Sequence, residues 1–462
     1  MTTDLLSSLD LAFWHLESAE HPMHLGALAL FDLPEGSGPE EITTLLSARA
    51  AAIPRLRMKV RGVLLPVGGS AWVTDKDFDV RRHVRPLQAP LGDLATESVA
   101  LAGELMERPL KRGIPPWEMY VITGPRQRSF AVLVKLHHAL ADGMRAVAIG
   151  AGIFDQVAEA RRTTTVRRRN PVPPRSWLPG PGQVAGLARD RFEELGRALG
   201  IGASVMRATL DVRDAPALTA GPSGTRRLAT ATLGLPDVRR IRRATGGTSN
   251  DVLLAVVAGA LRHWMLERGE RLSTGSDPRA LIPVSRRRPG SAARTGNRLS
   301  GYLLDLPLSE PSAACRLDRV RLGMDRNKAA GPARGPGAVA LLADQLPPLA
   351  HRFGTPLVGN AARMLFDLLV TSVPLPGSSL SLGGSPLRAL YPMAPLARGQ
   401  SLAVALSTYG DKVHVGLVAD GKAVPDADSI AEAVHVSLAE LLALRLGPRD
   451  VGSIAFPYAH IG

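Results

Sequence analysis

The stretch Ser129–Gly143 reads SFAVLVKLHHALADG. Its first eight residues form a bounded apolar run with one lysine, Lys135, and predict a β-strand. The strand ends on His137 and His138. Asp142 and Gly143 follow before a helical pattern sets in over Gly143–Val157. Strand, short loop and helix are the local unit of an α/β fold, and the loop after the strand is where such folds carry reactive groups. Neighbouring side chains on an extended segment point to opposite faces, so one histidine faces a cleft while the other packs inward. Asp142, four residues past His138, is placed to close the turn, cap the helix at Gly143 or anchor an arginine. Gly143 permits backbone angles that other residues resist.

An imidazole with an ordinary pKa near 6.5 suits proton abstraction at neutral pH. No serine or cysteine nucleophile is evident nearby. The simplest role for a histidine on a cleft wall is therefore general base toward a bound hydroxyl or amine. An isolated His-His pair is more often a satisfied core pair. The longer pattern, HHxxxDG after a clean strand, is rarer and favours catalysis. A metal site is disfavoured, because adjacent histidines with an aspartate four residues on do not make the i, i+4 pair of a helical zinc site.

Two further stretches attract attention. Gly246-Gly247-Thr248-Ser249-Asn250-Asp251-Val252 opens an apolar helix. A Gly-Gly turn, Ser249 or Asn250 as N-cap and an acid in the first turn account for it structurally. The functional alternative is that Asn250 turns its amide toward the cleft. Ser285–Arg298 is a basic loop after a strand, with Arg286, Arg287 and Arg298 among its charges. It reads as a solvated charge run or as a phosphate site, since arginine forks grip phosphates bidentately.

The chain has 462 residues, with 56 basic and 42 acidic side chains and a net charge of +14. Seven of the bases are lysine and the rest arginine. That excess attracts phosphates or anionic membrane surfaces. Nucleic acid is not expected as a partner, because aromatic residues are 4% of the chain and no aromatic/basic stripe interleaves. The lone cysteine, Cys315, excludes a disulfide framework and multi-cysteine zinc sites. The start lacks a basic segment before an apolar core, so no signal peptide is expected. The longest apolar run, Val252–Leu261, stops at Arg262 and His263 and reads as a buried helix. A soluble, cytoplasmic protein is the expectation.

Strand and helix patterns recur on both sides of a different middle. Residues 1–160 form a first lobe, with a strand at Leu25–Phe31 and helices at Glu40–Ala52 and Ser98–Glu107. Residues 161–225 form a crossover. Within it Arg161–Arg175 carries six arginines and three prolines and cannot bury a core, while Gln183–Leu210 is helical in pattern. Residues 226–462 form a second lobe, with helices at Asp237–Thr245 and Asp251–Arg268. Its strands are expected at Arg279–Val284, Leu299–Leu306, Asp367–Val373, Ser401–Ser407 and Lys412–Val418. The fold class is α/β, in two lobes.

The pattern His137–Gly143 resembles the signature of the acyl-CoA-dependent acyltransferases with a chloramphenicol-acetyltransferase-like fold. More closely, the chain resembles the bacterial wax ester synthase/acyl-CoA:diacylglycerol acyltransferases nearly end to end. Leu6–Asp32 with Pro22-Met23-His24, Ile53–Arg57, Phe78–Arg85, Gly247–Val252, Gly296–Ser300, Tyr391-Pro392 and Gly399–Leu402 follow that family's blocks in order. Two blocks depart from it. Pro115-Pro116-Trp117-Glu118 has proline where the family has leucine, and Thr371–Pro376 (TSVPLP) lacks the asparagine and glycine of the family's Ser-Asn-Val-Pro-Gly-Pro.

The resemblance implies two lobes of related fold around a tunnel, with His138 as the base that takes the acceptor hydroxyl proton. It implies a structural Asp142, paired with an arginine such as Arg286, and supporting roles for Asn250 and His137. Acyl-CoA is then a co-substrate rather than a bound cofactor, and the acceptor is a diacylglycerol or a fatty alcohol drawn from a membrane or lipid-droplet surface. Arg161–Arg175 is a candidate adsorption element. Two alternatives stay open. One is the same site acting on an amine, a specialised alcohol or a carrier-bound donor; the other is a non-catalytic lipid-binding or droplet-associated protein.

Overall fold

The computed structural model describes residues 4–34, 38–63, 69–125, 128–140, 146, 149–150, 152–156, 217–219, 223–273, 275, 277–285, 299–330, 366–396 and 399–444. The first lobe runs β1 (Asp4–Leu5), α1 (Ser8–Leu16), β2 (His24–Asp32), α2 (Pro39–Ala51), β3 (Met58–Gly62), β4 (Ser70–Thr74), β5 (Val84–Gln88), α3 (Leu94–Glu107), β6 (Trp117–Thr123) and β7 (Ser129–His137). The second begins with β8 (Arg226–Gly234), α4 (Leu235–Thr245), α5 (Ser249–Glu267), β9 (Arg279–Ser285), β10 (Leu299–Asp305) and α6 (Ala313–Ala330). It continues with β11 (Leu368–Pro374), β12 (Ser381–Leu382), β13 (Ser385–Met393), β14 (Leu402–Tyr409), β15 (Lys412–Asp420) and α7 (Ala427–Ala443).

Two six-stranded mixed sheets dominate. One is ordered β12-β13-β2-β7-β6-β5, the other β10-β9-β11-β14-β15-β8, and a small sheet β1-β4-β3 stands apart. β7 sits inside the first sheet, antiparallel to both β2 and β6. Burial on both faces explains its nearly unbroken apolar run. α5 is likewise enclosed, its Val252–Leu261 run buried throughout. A helix apolar on all sides belongs inside a core. Among the described residues no helix is long and apolar enough to cross a membrane.

The sheets do not follow sequence order. β12 and β13 lie within residues 226–462, yet β13 pairs antiparallel with β2 of the first lobe, Pro392 opposite Ala27. β13 had no strand signal: Pro386 and Pro392 are poor strand residues, its register shifts between Leu387 and Ala389, and its partner is remote in sequence. α3, from the first lobe, lies in turn against β8 of the second. A shared core forms there from residues such as Leu133, Leu228 and Val418. Arg226, buried, ties this junction. Its backbone N–H donates to Glu107 Oε1 (2.8 Å), its guanidinium donates to the carbonyl of Glu20 (2.8 Å), and Asp420 lies 3.9 Å away.

Most other expected elements appear with shifted ends. The helix expected from Ser98 begins at Leu94, because the Asp93 side chain accepts the Thr96 N–H and caps it. The helical patterns expected at Gly143–Val157 and Gln183–Leu210, and the segment Arg161–Arg175, lie wholly or largely outside the described residues.

Candidate active site

β2 and β7 place the histidines. Their antiparallel register sets His24 opposite His137, and Leu25 opposite Leu136. The side chains then divide by face. His24 and Lys135 point toward the C-terminal end of α3 and His137 toward Trp14 and Glu17 at the end of α1, while Leu25, Ala27, Ala29, Val132, Val134, Leu136 and His138 line a cavity on the other side. The expected division of the pair is thus observed, with His137 inward and His138 on the cavity wall.

On the hidden face, Lys135 is fully buried and donates to the carbonyls of Leu105 (2.7 Å) and Arg108. A cation there satisfies the last carbonyls of α3 and opposes its dipole, which accounts for the single lysine in an apolar strand. Burial pulls its pKa down to about 8, against the attraction of Glu118 and Glu17. His24 Nε2 lies 2.6 Å from the carbonyl of Met106, and burial with the nearby Lys135 charge holds its pKa well below the ordinary value.

His137 shapes the turn that follows. Its Nδ1 accepts the N–H of Ala139 (3.0 Å), and the Leu140 N–H bonds its carbonyl (2.8 Å). An accepting Nδ1 assigns the proton to Nε2, which lies 3.5 Å from Glu17 Oε1. Glu17 ends α1 and is held by Arg112 (2.8 Å), whose guanidinium lies 4.0 Å over the Trp14 ring. Burial pushes the Glu17 carboxyl up, but His137 and Arg112 outweigh it and the net shift is downward. Glu17, Arg112 and Trp14 were not foreseen from sequence. Glu17 follows an apolar helical run, but nothing local pairs it with a residue so far along the chain.

His138 is only partly buried. Its N–H donates to the carbonyl of Met23 (2.8 Å), and its ring stacks on Phe13 at 4.0 Å and 30°. The neighbouring His137 N–H donates to the carbonyl of Pro116 (3.0 Å). Proline in place of leucine therefore preserves this backbone acceptor.

The cavity, about 380 Å³, lies between the two large sheets. β2, β7 and β13 line one side, and Pro283, Leu369, Thr371, Ser372 and Ala405 come from the other sheet. Apart from His138, Thr371 and Ser372, its described lining is apolar. The departing block Thr371–Pro376 thus forms part of the wall. Ser372 Oγ donates to Asn250 Oδ1 (2.9 Å), which connects Asn250 to the cavity lining. Asn250 is not the helix cap. Thr248 caps α5 through a reciprocal box, its side chain accepting from the Asp251 N–H (3.2 Å) while Asp251 accepts from the Thr248 N–H (2.8 Å). Asp142, Gly143, Arg286, Arg287 and Arg298 lie outside the described residues. No cluster of three metal-ligating side chains occurs among the described residues.

Asp155 braces the far end of the cavity, next to the lining residues Ile153 and Phe154. It accepts hydrogen bonds from Ser381 Oγ (2.6 Å), Gly383 N–H (2.9 Å) and Gly384 N–H (2.9 Å), and pairs with Arg49 (2.6 Å). Burial disfavours its charge, but these donors prevail and lower its pKa to about 2 from 3.8. A lowered carboxylate stabilises the fold at pH values above the unfolded pKa and loses that contribution as pH falls from about 4 to 2, here on the order of 2 kcal/mol. Asp155→Asn is expected to cost about that much at pH 7, with the gap to the parent protein narrowing below pH 4 in denaturant titrations. A gap independent of pH would contradict this.

A model of the wax ester synthase/diacylglycerol acyltransferase catalytic domain matches residues 6–253, and one of the same family's C-terminal domain matches residues 295–442. The chain belongs to this family. Relatives include tgs1 of Mycobacterium tuberculosis, named as a diacylglycerol O-acyltransferase, which is 31% identical over 448 residues (95% of this chain and 96% of the relative). A second, tgs2 of the same organism, is named likewise and is 30% identical over 454 residues (95% and 98%). The solved wax ester synthase/diacylglycerol acyltransferase of Marinobacter aquaeolei shares the fold with a TM-score of 0.68 at 24% identity, covering 95% of this chain and 98% of that one. The first condensation domain of the CDA synthetase matches at a TM-score of 0.60 and 17% identity, covering 97% and 98%. A starter condensation domain of rhizomide synthetase, solved with C8-CoA, matches at 0.55 and 14%, covering 95% and 94%. The two-lobe α/β fold is thus that of the wax ester synthase/diacylglycerol acyltransferase family and of condensation domains, and the chain is an acyltransferase.

Proposed function

We propose that this acyltransferase moves a fatty acyl group from acyl-CoA to the free hydroxyl of a diacylglycerol, giving triacylglycerol and CoA. The observation that carries this is the placement of His138, at the end of β7, on the wall of an apolar cavity between two sheets in a chain of this family. The names of the relatives at 30–31% identity support the acceptor.

In this reading His138 takes the acceptor O–H proton as the oxygen attacks the thioester carbonyl carbon. The C–S bond then breaks, and His138 returns the proton to the departing CoA sulfur. Atoms and charge balance with no covalent enzyme intermediate. His137, fixed by Glu17 and Ala139, orients the turn that carries the base. Asp142 and Gly143 are assigned to this site on the family pattern alone, and Asn250 supports the wall through Ser372. Arg286, Arg287 and Arg298 are assigned to the CoA phosphates on their chemistry. The net charge of +14 favours contact with an anionic membrane or droplet surface, where the acceptor resides, and Arg161–Arg175 is the segment assigned to it.

The test supplies palmitoyl-CoA with either a diacylglycerol or hexadecanol and identifies the products by mass. Triacylglycerol as the main product is expected. Wax ester alone would move the acceptor to a fatty alcohol. Lipid binding with no CoA release from either acceptor would overturn the catalytic reading.

A further inference from the structure

The cavity-facing positions of β2 alternate Leu25, Ala27, Ala29 and Phe31, opposite Leu136, Val134, Val132 and Phe130 of β7. The two smallest of the four stand mid-strand, where the bore needs room. Phe31 ends the series. Its ring stacks on Phe130 at 5.0 Å and 9°, and Phe154 lies 6.2 Å away. The Phe154 segment is itself held by the Asp155 bonds to Ser381, Gly383 and Gly384, so this end is rigid.

From the rung of His138 to that of Phe31 the strand spans eight residues, on the order of 25 Å at strand rise. One leaflet of hydrocarbon in a bilayer is about 15 Å deep, so a long unbranched chain lies comfortably within that run. We infer that the cavity is a length gauge for one straight hydrocarbon chain, with Ala27 and Ala29 keeping its bore open and Phe31 as its stop. This deepens the proposed reaction and rests on it for the chain's identity, whether acyl group of the donor or alkyl portion of the acceptor.

The gauge is tested first by binding, which does not require turnover. Affinities for saturated acyl-CoAs and for unbranched alcohols, C8 to C18, are measured by calorimetry on the parent protein and on Ala29→Leu. A hydrophobic pocket discriminates by about 10–200-fold for each methylene of misfit. Ala29→Leu is therefore expected to lower the ratio of C16 to C8 affinity at least tenfold in one of the two series, and that series identifies the chain. Phe31→Leu, a milder change than truncation to alanine, is expected to raise the ratio of C18 to C14.

Unchanged ratios in a variant with the parent's melting temperature would overturn the gauge, as would a uniform loss at every length. The reaction fails separately. A parent protein that binds long chains with a length limit but acylates neither acceptor would sink the proposed function and leave the gauge standing.

Discussion

His138→Ala is expected to lower the turnover of acyl transfer by about 10²–10⁴-fold, the range for loss of a positioned general base. Its circular dichroism and melting temperature are expected to stay those of the parent protein. The reason lies in the contrast between two adjacent residues. His138 is partly exposed on the cavity wall, and its backbone bond to Met23 does not involve the imidazole. Losing the ring removes its stacking contact with Phe13 from a position that is only partly buried. His137 is buried between Trp14, Glu17 and the Ala139 N–H. Its removal leaves a buried carboxylate short of a partner, so His137→Ala loses stability and activity together. Full turnover in His138→Ala would end the general-base assignment. A melting point that falls as far as in His137→Ala would assign His138 to the core instead.

The second large effect is expected at a glycine with no part in the chemistry. Gly416 lies on β15, between Ala405 of β14 and Thr230 of β8. A Cβ there would stand 2.0 Å from the carbonyl oxygen of Pro392 and 3.1 Å from its carbon. Those are backbone atoms of β13, which cannot retreat alone because β13 is hydrogen-bonded to β2 at Ala27. Gly416→Ala therefore has to part the two large sheets where β15 meets β13. Overpacking of this kind costs about 3 kcal/mol or more, the upper end of its usual range, because no flexible side chain can yield. Pro392 also lines the cavity, so activity falls with stability. Gly62→Ala, where the added methyl meets nothing within 4 Å, is the control and is expected to be near neutral. Equal melting temperatures for the two variants would contradict the close packing of the sheets.

Sequence patterning made some of this architecture legible because the forces involved act locally. β7 and α5 are enclosed on nearly all sides, and uninterrupted apolar runs record that directly. The opposite facing of His137 and His138 followed from the two-residue period of a strand. The capping of α5 was legible in kind but not in place, since Thr248, Ser249 and Asn250 are all capable caps and the box with Asp251 selects Thr248. What could not be read depends on distant partners. β13 is a strand only because β2 offers it an edge, and its prolines and register shift hide it from a periodic signal. Lys135 looked like an exception in an apolar strand until α3 supplied carbonyls for its ammonium. Glu17 acquires its role from His137 and Arg112, both far along the chain. The walls of the cavity come from both sheets, so its bore and its stop at Phe31 are properties of the assembly.

In the proposed reaction His138 moves a proton and the acyl group passes directly from sulfur to the acceptor oxygen. The most direct test mixes the protein with palmitoyl-CoA, first without and then with diacylglycerol, following free CoA thiol and the intact protein mass. No thiol release and no change in protein mass are expected until the acceptor is added, then CoA and triacylglycerol in equal amounts. A burst of CoA matching the protein concentration without acceptor, with the protein heavier by one palmitoyl group, would contradict it.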